Sequence, residues 1–189
     1  MSPFRSSDYG ERIAEILALG GDGLRAMPLV GQGCSSAAAQ ETLERLDAAA
    51  LFAPRRVVAS DFAETVRSGL FLYFSCLEES HGISQQIAST TGSYWHGIMH
   101  RQEPDFGNAA YWFRRVKRHA VFLALREGAA GKTGFRIAET WDPFRFVDAC
   151  EQVHRKDDPA LRRRLEEIQL AEWQLLFDYS CRQAVGPQS

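Results

Sequence analysis

The sequence predicts an all-α protein: one irregular domain of about six to eight helices. Apolar residues recur at spacings of three and four in several segments, which is typical of amphipathic helices. Ser or Asp, twice followed by Pro, stands where such segments begin. No segment alternates polar and apolar residues over the length of a strand. The only strand-like fragments, Val57-Val58 and Phe135-Arg136-Ile137, are very short.

The first half of the chain contains two of the predicted helices. Residues 35–51 are rich in alanine, and residues 61–79 place their apolar side chains on one stripe. Asp61 followed by Glu64 predicts a capping box at the start of the second segment. Gly82 stands where a helix stop is expected. We therefore expect one long helix to end near Gly82.

Two Asp-Pro pairs predict the starts of the last two helices. Asp142-Pro143 places a capping side chain before a proline at the first helical position, and Trp141 with Phe146 predicts a hydrophobic staple across that cap. Asp158-Pro159 repeats the device and opens the longest helix, which we expect to reach about Arg182. The second half of this helix is apolar almost all round, so it should lie in the core.

Composition predicts a single soluble domain over residues 1–189, with flexible termini at 1–8 and 184–189. The net charge of −2 provides no field that would attract nucleic acid. The longest purely apolar run, residues 120–125, is too short to cross a membrane. The N-terminus does not read as a signal peptide, which favours a cytoplasmic location.

Cysteine usage fits that location. Cys34, Cys76, Cys150 and Cys181 are widely spaced and form no C-x-x-C pair, so we expect four reduced and mostly buried thiols. A second interpretation applies to Cys34, which follows Gly31-Gln32-Gly33 and precedes a predicted helix. Amides at a helix start stabilise a thiolate, so Cys34 is also a candidate nucleophile.

The most informative segment is a predicted helix that begins at Ser93 and ends at Pro104. His96, His100 and Glu103 share one face of this helix, because they stand at i, i+4 and i+7. Two imidazoles one turn apart are able to bind one metal ion, and a carboxylate one turn later serves as third ligand or general base. The pattern predicts a site for a divalent metal ion.

Glu78 and His81 extend this prediction to the preceding helix. Their i, i+3 spacing is one half of the carboxylate-bridged arrangement found in ferritin-like bundles. His81 or Glu78 is therefore expected to complete the metal shell. The structural alternative is that His81 bonds the last carbonyls of its helix and that His96 and His100 are buried, each bonded to a carboxylate.

A ligand pocket is the second prediction for this region. Asp105 is expected to cap a further helix that carries Trp112 and Arg114, and with Trp95 these side chains could hold a small polar ligand. The alternative is that the basic residues only complement the helix dipole. Glu172 stands within the apolar part of the last helix and needs an arginine or histidine of the central segment as its partner.

The same central segment carries a resemblance. Trp95-His96-Gly97-Ile98-Met99-His100-Arg101-Gln102-Glu103-Pro104-Asp105-Phe106, with the residues that follow it to Arg115, resembles the signature of a family of uncharacterised proteins found mainly in bacteria. The likeness extends over about residues 70–179 and includes Ser80-His81, Trp141-Asp142-Pro143 and Glu172-Trp173. The resemblance implies that the central segment is one unit, and it implies no particular activity, substrate or cofactor.

Three functional hypotheses follow. The first is a metal-assisted hydrolase, in which Glu103 is a ligand or base and Arg101 or Arg114 stabilises developing negative charge. The second is a binding module for a small polar ligand, without turnover. The third is a helical protein–protein interaction domain. The sequence leaves open whether the protein is an enzyme.

Overall fold

The computed structural model describes residues 3–130 and 139–187 and confirms the all-helical fold class. The described residues contain no strand, and Val57-Val58 is irregular. The other strand-like fragment, Phe135-Arg136-Ile137, lies outside these ranges. Two short 3-10 helices, Ser6–Tyr9 and Ala50–Phe52, accompany the α-helices. The nine α-helices of the described residues are α1 (Glu11–Ala18), α2 (Ala37–Arg45), α3 (Ser60–Tyr73), α4 (Leu77–Ser84), α5 (Thr90–Gln102), α6 (Phe106–Val116), α7 (Val121–Ala130), α8 (Pro143–Arg155) and α9 (Pro159–Val185).

The helix count over these ranges exceeds the predicted six to eight, and one reason lies in residues 61–79. The single helix expected there is two helices, α3 and α4, separated by a turn in which Ser75 has a φ of 59°. The predicted capping box is also wrong, because Ala59 is the N-cap of α3 and no side chain caps it. Gly82 lies inside α4 rather than after it. An apolar stripe continues across a short turn as readily as along a helix, so periodicity did not reveal the break.

The aspartate caps are confirmed. Asp105 accepts a hydrogen bond from the Asn108 amide, Asp142 from the amides of Phe144 and Arg145, and Asp158 from the Leu161 amide. The rings of Trp141 and Phe146 lie 5.5 Å apart, as a staple requires. The start of α5 differs from the prediction, because the cap is Ser89 and the helix begins one turn before Ser93.

Helix α5 is the centre of the fold. Every residue from 91 to 102 is buried, because α3, α4 and α6 pack around this helix. Gly69 of α3 lets the Trp95 indole approach so closely that a Cβ on Gly69 would lie 2.8 Å from it. The second half of α9 lies in the same core, with Trp173, Leu176 and Phe177 fully buried, as its composition predicted.

A disulfide corrects the prediction of four reduced thiols. Cys34 and Cys76 are 42 residues apart in sequence and are bonded, with their Cα atoms 4.3 Å apart. The Ser35 amide donates to the Phe74 carbonyl at 2.7 Å, which brings the two segments together in a way that sequence spacing could not show. The sulfur of Cys34 is therefore not a free nucleophile. Cys150 and Cys181 are free and buried, as expected.

Residues near both ends of the described chain pack against the core. Ala184 is fully buried, and its carbonyl accepts hydrogen bonds from the amides of Val58 and Ala59. Tyr9 is buried as well and contacts the Phe177 ring at 5.2 Å. None of the helices in the described part of the chain has the length and apolar character needed to cross a membrane.

Candidate metal site

Three histidines converge where α4 meets α5. His81 lies in the last turn of α4, and His96 and His100 occupy successive turns of α5. Each offers one ring nitrogen, and these three atoms all lie within 4.8 Å of one another. The ring of His81 lies 4.8 Å from that of His96 and 5.4 Å from that of His100. The turn after α3 directs α4 back toward α5, so the break in the predicted helix is part of what brings His81 to the site.

The ring nitrogens of the two α5 histidines are arranged in a chain of contacts. The Nε2 atoms of His96 and His100 face each other at 2.9 Å. His96 Nδ1 lies 3.1 Å from the Ser84 hydroxyl, and His100 Nδ1 lies 3.0 Å from Glu103 Oε2. A carboxylate accepts, so His100 Nδ1 carries the proton and its Nε2 holds a lone pair. Side chains therefore hold both outer nitrogens, while the two inner nitrogens point at each other.

Burial keeps these imidazoles neutral. Desolvation, and to a smaller extent the neighbouring His100 and His81, lower the pKa of His96 to about 3. Desolvation also lowers the pKa of His100, although the hydrogen bond to Glu103 opposes this shift. His96 is 1% exposed and His100 is 7% exposed. A neutral imidazole is the form that binds metal, so protons do not compete for these nitrogens near pH 7.

One aromatic side chain and two acidic side chains border the cluster. The Trp112 ring lies 4.1 Å from the His96 ring at an interplanar angle of 32°. The Glu103 side chain is 53% exposed and joins His100 to solvent. Glu103 and Asp105 form a second set of closely spaced ligand atoms with His100. Asp105 already accepts hydrogen bonds from the amide and side chain of Asn108, as a helix cap does.

Three other predicted site residues lie apart from the cluster or within the core. Glu78 is exposed in the first turn of α4 and belongs to neither set of metal-ligand atoms in the described ranges. Arg114 is exposed in the last turn of α6. Trp95 is fully buried, and its indole Nε1 donates to the Ser180 hydroxyl at 3.3 Å. Glu78 and Arg114 are therefore surface residues, whereas Trp95 packs in the core.

Arg101 and Glu172 form a fully buried ion pair, which confirms that Glu172 finds an arginine of the central segment. Tyr94 donates a hydrogen bond to Glu172 at 2.9 Å, and Arg101 Nε donates to Gln169 Oε1 at 3.2 Å. Burial alone would lower the pKa of Arg101, but the Glu172 carboxylate more than reverses this and raises it. The guanidinium also lies 4.4 Å from the Phe146 ring. Every one of these contacts is with the core, not with the histidines.

Sequence reasoning missed Ser84. Ser84 is 1% exposed, and its hydroxyl contacts both His96 Nδ1 and the His81 carbonyl. The available signal was its spacing, because Ser84 follows His81 by three residues and so shares a helix face with it. A further histidine, His119, contacts the Thr91 hydroxyl at 3.1 Å and packs against Tyr94 and Tyr179.

Comparisons with models of protein families, with curated proteins and with solved structures found no match to this chain. The bacterial family resemblance of the central segment therefore stays a prediction.

Proposed function

We propose that His81, His96 and His100 bind one divalent transition-metal ion, most naturally Zn²⁺. The observation that carries this proposal is the 2.9 Å approach of the two inner Nε2 atoms while both outer nitrogens are held by side chains. Metal–imidazole bonds of about 2.0–2.1 Å in a tetrahedron place two ligand nitrogens about 3.3 Å apart. An increase of about 0.4 Å in the distance between the Nε2 atoms, with rotation of both rings so that their lone pairs face the ion, would convert this contact into two metal bonds.

Ser84 supports the proposal because its hydroxyl fits both states of His96. Without metal, the N–H at His96 Nε2 donates a hydrogen bond to His100 Nε2, and His96 Nδ1 accepts a hydrogen bond from the Ser84 hydroxyl. With metal on Nε2 of His96, the imidazole proton must be on Nδ1 instead. The Ser84 oxygen would then accept a hydrogen bond from this N–H. Glu103 would hold His100 in the matching orientation, as carboxylates commonly do for metal-bound histidines.

The proposed role of the bound metal has two versions. Three histidine ligands leave a fourth position for water, which is the composition of catalytic zinc sites and agrees with a metal-assisted hydrolase. Glu103 would then act as general base, since it is the half-exposed carboxylate of the site. The alternative is metal binding without turnover. The near-complete burial of His96 and His100 favours this alternative, because a substrate must reach the open position.

Arg101 has no place in the proposed reaction. Its guanidinium is enclosed with Glu172 and is fully buried. We propose a structural role for this pair instead of the stabilisation of developing negative charge that the sequence suggested.

Metal titration of tag-free protein tests the proposal. We expect protein stripped with a chelator to bind one equivalent of Zn²⁺ by calorimetry, and His81→Gln to weaken that binding strongly. We choose His81 rather than His96 or His100 because it is only half-buried, so its replacement disturbs packing least. His154→Gln, at an exposed histidine of α8, should bind Zn²⁺ like the unaltered protein. Equal binding by both variants, or none by the parent, would contradict the proposal.

A second measurement separates the two versions of the role. If the bound metal is hydrolytic, metal-loaded protein should cleave simple ester or phosphoester substrates, and Glu103→Gln should lose that activity even at a Zn²⁺ concentration that saturates a site weakened by the loss of the His100 hydrogen-bond partner. Absence of turnover across such substrates, with metal binding intact, would favour the non-catalytic version.

A further inference from the structure

A separate cavity lies at the junction of the chain termini. Its volume is about 630 Å³, within the range of about 300–1,000 Å³ that is usual for small-molecule sites. The 3-10 helix Ser6–Tyr9, Arg55 and the C-terminal turns of α9 form its walls. None of the histidines of the proposed metal site lines this cavity.

Arg55 is the first unusual feature of the cavity. Its guanidinium has neither a hydrogen-bond acceptor nor an ion-pair partner among the described residues, and its Nη2 atom is buried. The group is fixed against Gly10, where φ is 110° and a Cβ would lie only 2.8 Å from Nη2. A guanidinium carries five donors in a rigid plane, and buried donors without acceptors are costly. An arginine held in this way is suited to receive a carboxylate.

Asp8 is a second charged residue of the cavity wall. Its exposed carboxylate has no hydrogen-bond or ion-pair partner in the described part of the chain, although it lies within electrostatic reach of Arg182, and it does not pair with Arg55 although both line the cavity. The other two charged residues of the wall satisfy each other. Arg182 Nε lies 2.8 Å from Asp178, which also accepts a hydrogen bond from the Tyr9 hydroxyl at 3.2 Å. A partly buried cation and an exposed anion, neither of them hydrogen-bonded to another described side chain, therefore line the same cavity.

We propose that this cavity binds a small zwitterion, namely a free α-amino acid with an aliphatic side chain. The ligand carboxylate would accept a hydrogen bond from the part of the Arg55 guanidinium that reaches the cavity, and the ligand ammonium would pair with Asp8. A simple anion would leave Asp8 unpaired beside it, and a simple cation would leave Arg55 unpaired. Val185 and the Tyr9 ring add apolar wall, against which an aliphatic side chain would pack.

Three matched probes test the charge requirement on the unaltered protein. L-Leucine carries both charges, 4-methylpentanoate lacks the ammonium group, and 3-methylbutylamine lacks the carboxylate. We expect calorimetry or ligand-observed NMR to detect leucine and to show each analogue at least about tenfold weaker. Binding of 4-methylpentanoate as strong as that of leucine would overturn the zwitterion proposal, and so would no detectable binding of leucine.

Variants then locate the site. Arg55→Gln and Asp8→Asn should each weaken leucine binding by about tenfold or more, whereas Arg56→Gln, at the exposed neighbouring arginine, should leave it unchanged. Leucine binding that survives both cavity variants would place the site elsewhere and overturn the proposal. If a cavity variant fails to fold, the probe series on the unaltered protein still decides, because it requires no substitution.

Discussion

Two neighbouring residues of α5 illustrate two fates of a buried polar side chain. Arg101 is fully buried, and α9 supplies its countercharge in Glu172 and a hydrogen-bond acceptor in Gln169. His100 is nearly as buried, but its inner nitrogen meets only another imidazole. The first arrangement balances its two charges without any added group, although Arg101 Nη1 has no hydrogen-bond partner among the described residues. The second is a contact between two neutral imidazoles, which a cation would replace with a bond to each ring. Burial alone therefore does not mark a functional site, whereas the kind of partner does.

Of the substitutions that test this comparison, replacing Glu172 should change the free energy of unfolding most. Glu172→Gln leaves the Arg101 charge buried without a counterion, and we expect the free energy of unfolding to fall by about 3–5 kcal/mol. Urea denaturation at neutral pH measures the change. Glu103→Gln, which alters a half-exposed carboxylate on the histidine side, is the control and should cost far less.

The same pair offers a second measurement. Replacing both charges together with apolar residues, Arg101→Met with Glu172→Leu, should recover most of the stability lost in the single variant. A double variant that is no more stable than Glu172→Gln would show that the surrounding contacts, and not the unpaired charge, determine the loss.

Acid should destabilise the histidine side. Unfolded histidine takes up a proton below about pH 6.5, whereas the pKa of His96 in the folded protein is lowered to about 3 by burial. Stability is therefore complete above pH 6.5 and is lost as the pH falls toward 3. At pH 4.5, two units below the unfolded pKa, we expect a loss of about 3 kcal/mol from this group.

The measurement is the midpoint of urea unfolding against pH in metal-free protein. His96→Gln should flatten the profile between pH 4.5 and 6.5, roughly the interval in which only the unfolded imidazole is charged. His154→Gln should leave the profile as it is. An unchanged slope in His96→Gln would show that other groups govern the acid response, His119 first among them, since its pKa is lowered to about 4 by burial.

Ser84 should affect the histidine side without affecting the ion pair. Loss of the hydroxyl in Ser84→Ala removes the group that orients His96, and we expect about 10–100-fold weaker Zn²⁺ binding. Calorimetric titration measures it. Ser80→Ala serves as the control. Ser80 lies on α4 like Ser84, but its hydroxyl contacts Ser68 of α3 instead of a histidine. If both variants lose affinity equally, the effect reflects the position of α4 and not the orientation of His96.

The smallest expected effect belongs to Trp112. Its ring covers His96 from α6, so Trp112→Leu should reduce the free energy of unfolding by about 0.5–1.5 kcal/mol through lost ring contact. Tyr111→Leu, at the adjacent exposed ring, should change stability less. Thermal unfolding is sufficient to compare them, and an equal effect of both would argue against a specific contact with His96.

The sequence predicted the fold class and the local signals at helix starts, because caps such as Asp142 and Asp158 act over three residues. It also predicted that His81, His96 and His100 belong together, since one turn of helix and a short connection relate them. It did not predict the break at Ser75 or the bond between Cys34 and Cys76, because both depend on how distant segments pack. Arg101 was assigned to the site because sequence shows adjacency along α5 but not which side of the helix α9 covers.

The complete burial of α5 has a kinetic consequence. A helix that is covered on every side opens only when its neighbours separate, so its amide hydrogens should exchange with solvent more slowly than those of the exposed helix ends. His96 and His100 are therefore held in place before any ion arrives, whereas His81 belongs to the short helix α4 and is only half-buried. An incoming metal ion would meet two fixed ligands and one adjustable ligand. Its rate of capture and release would then be set by the motion of α4.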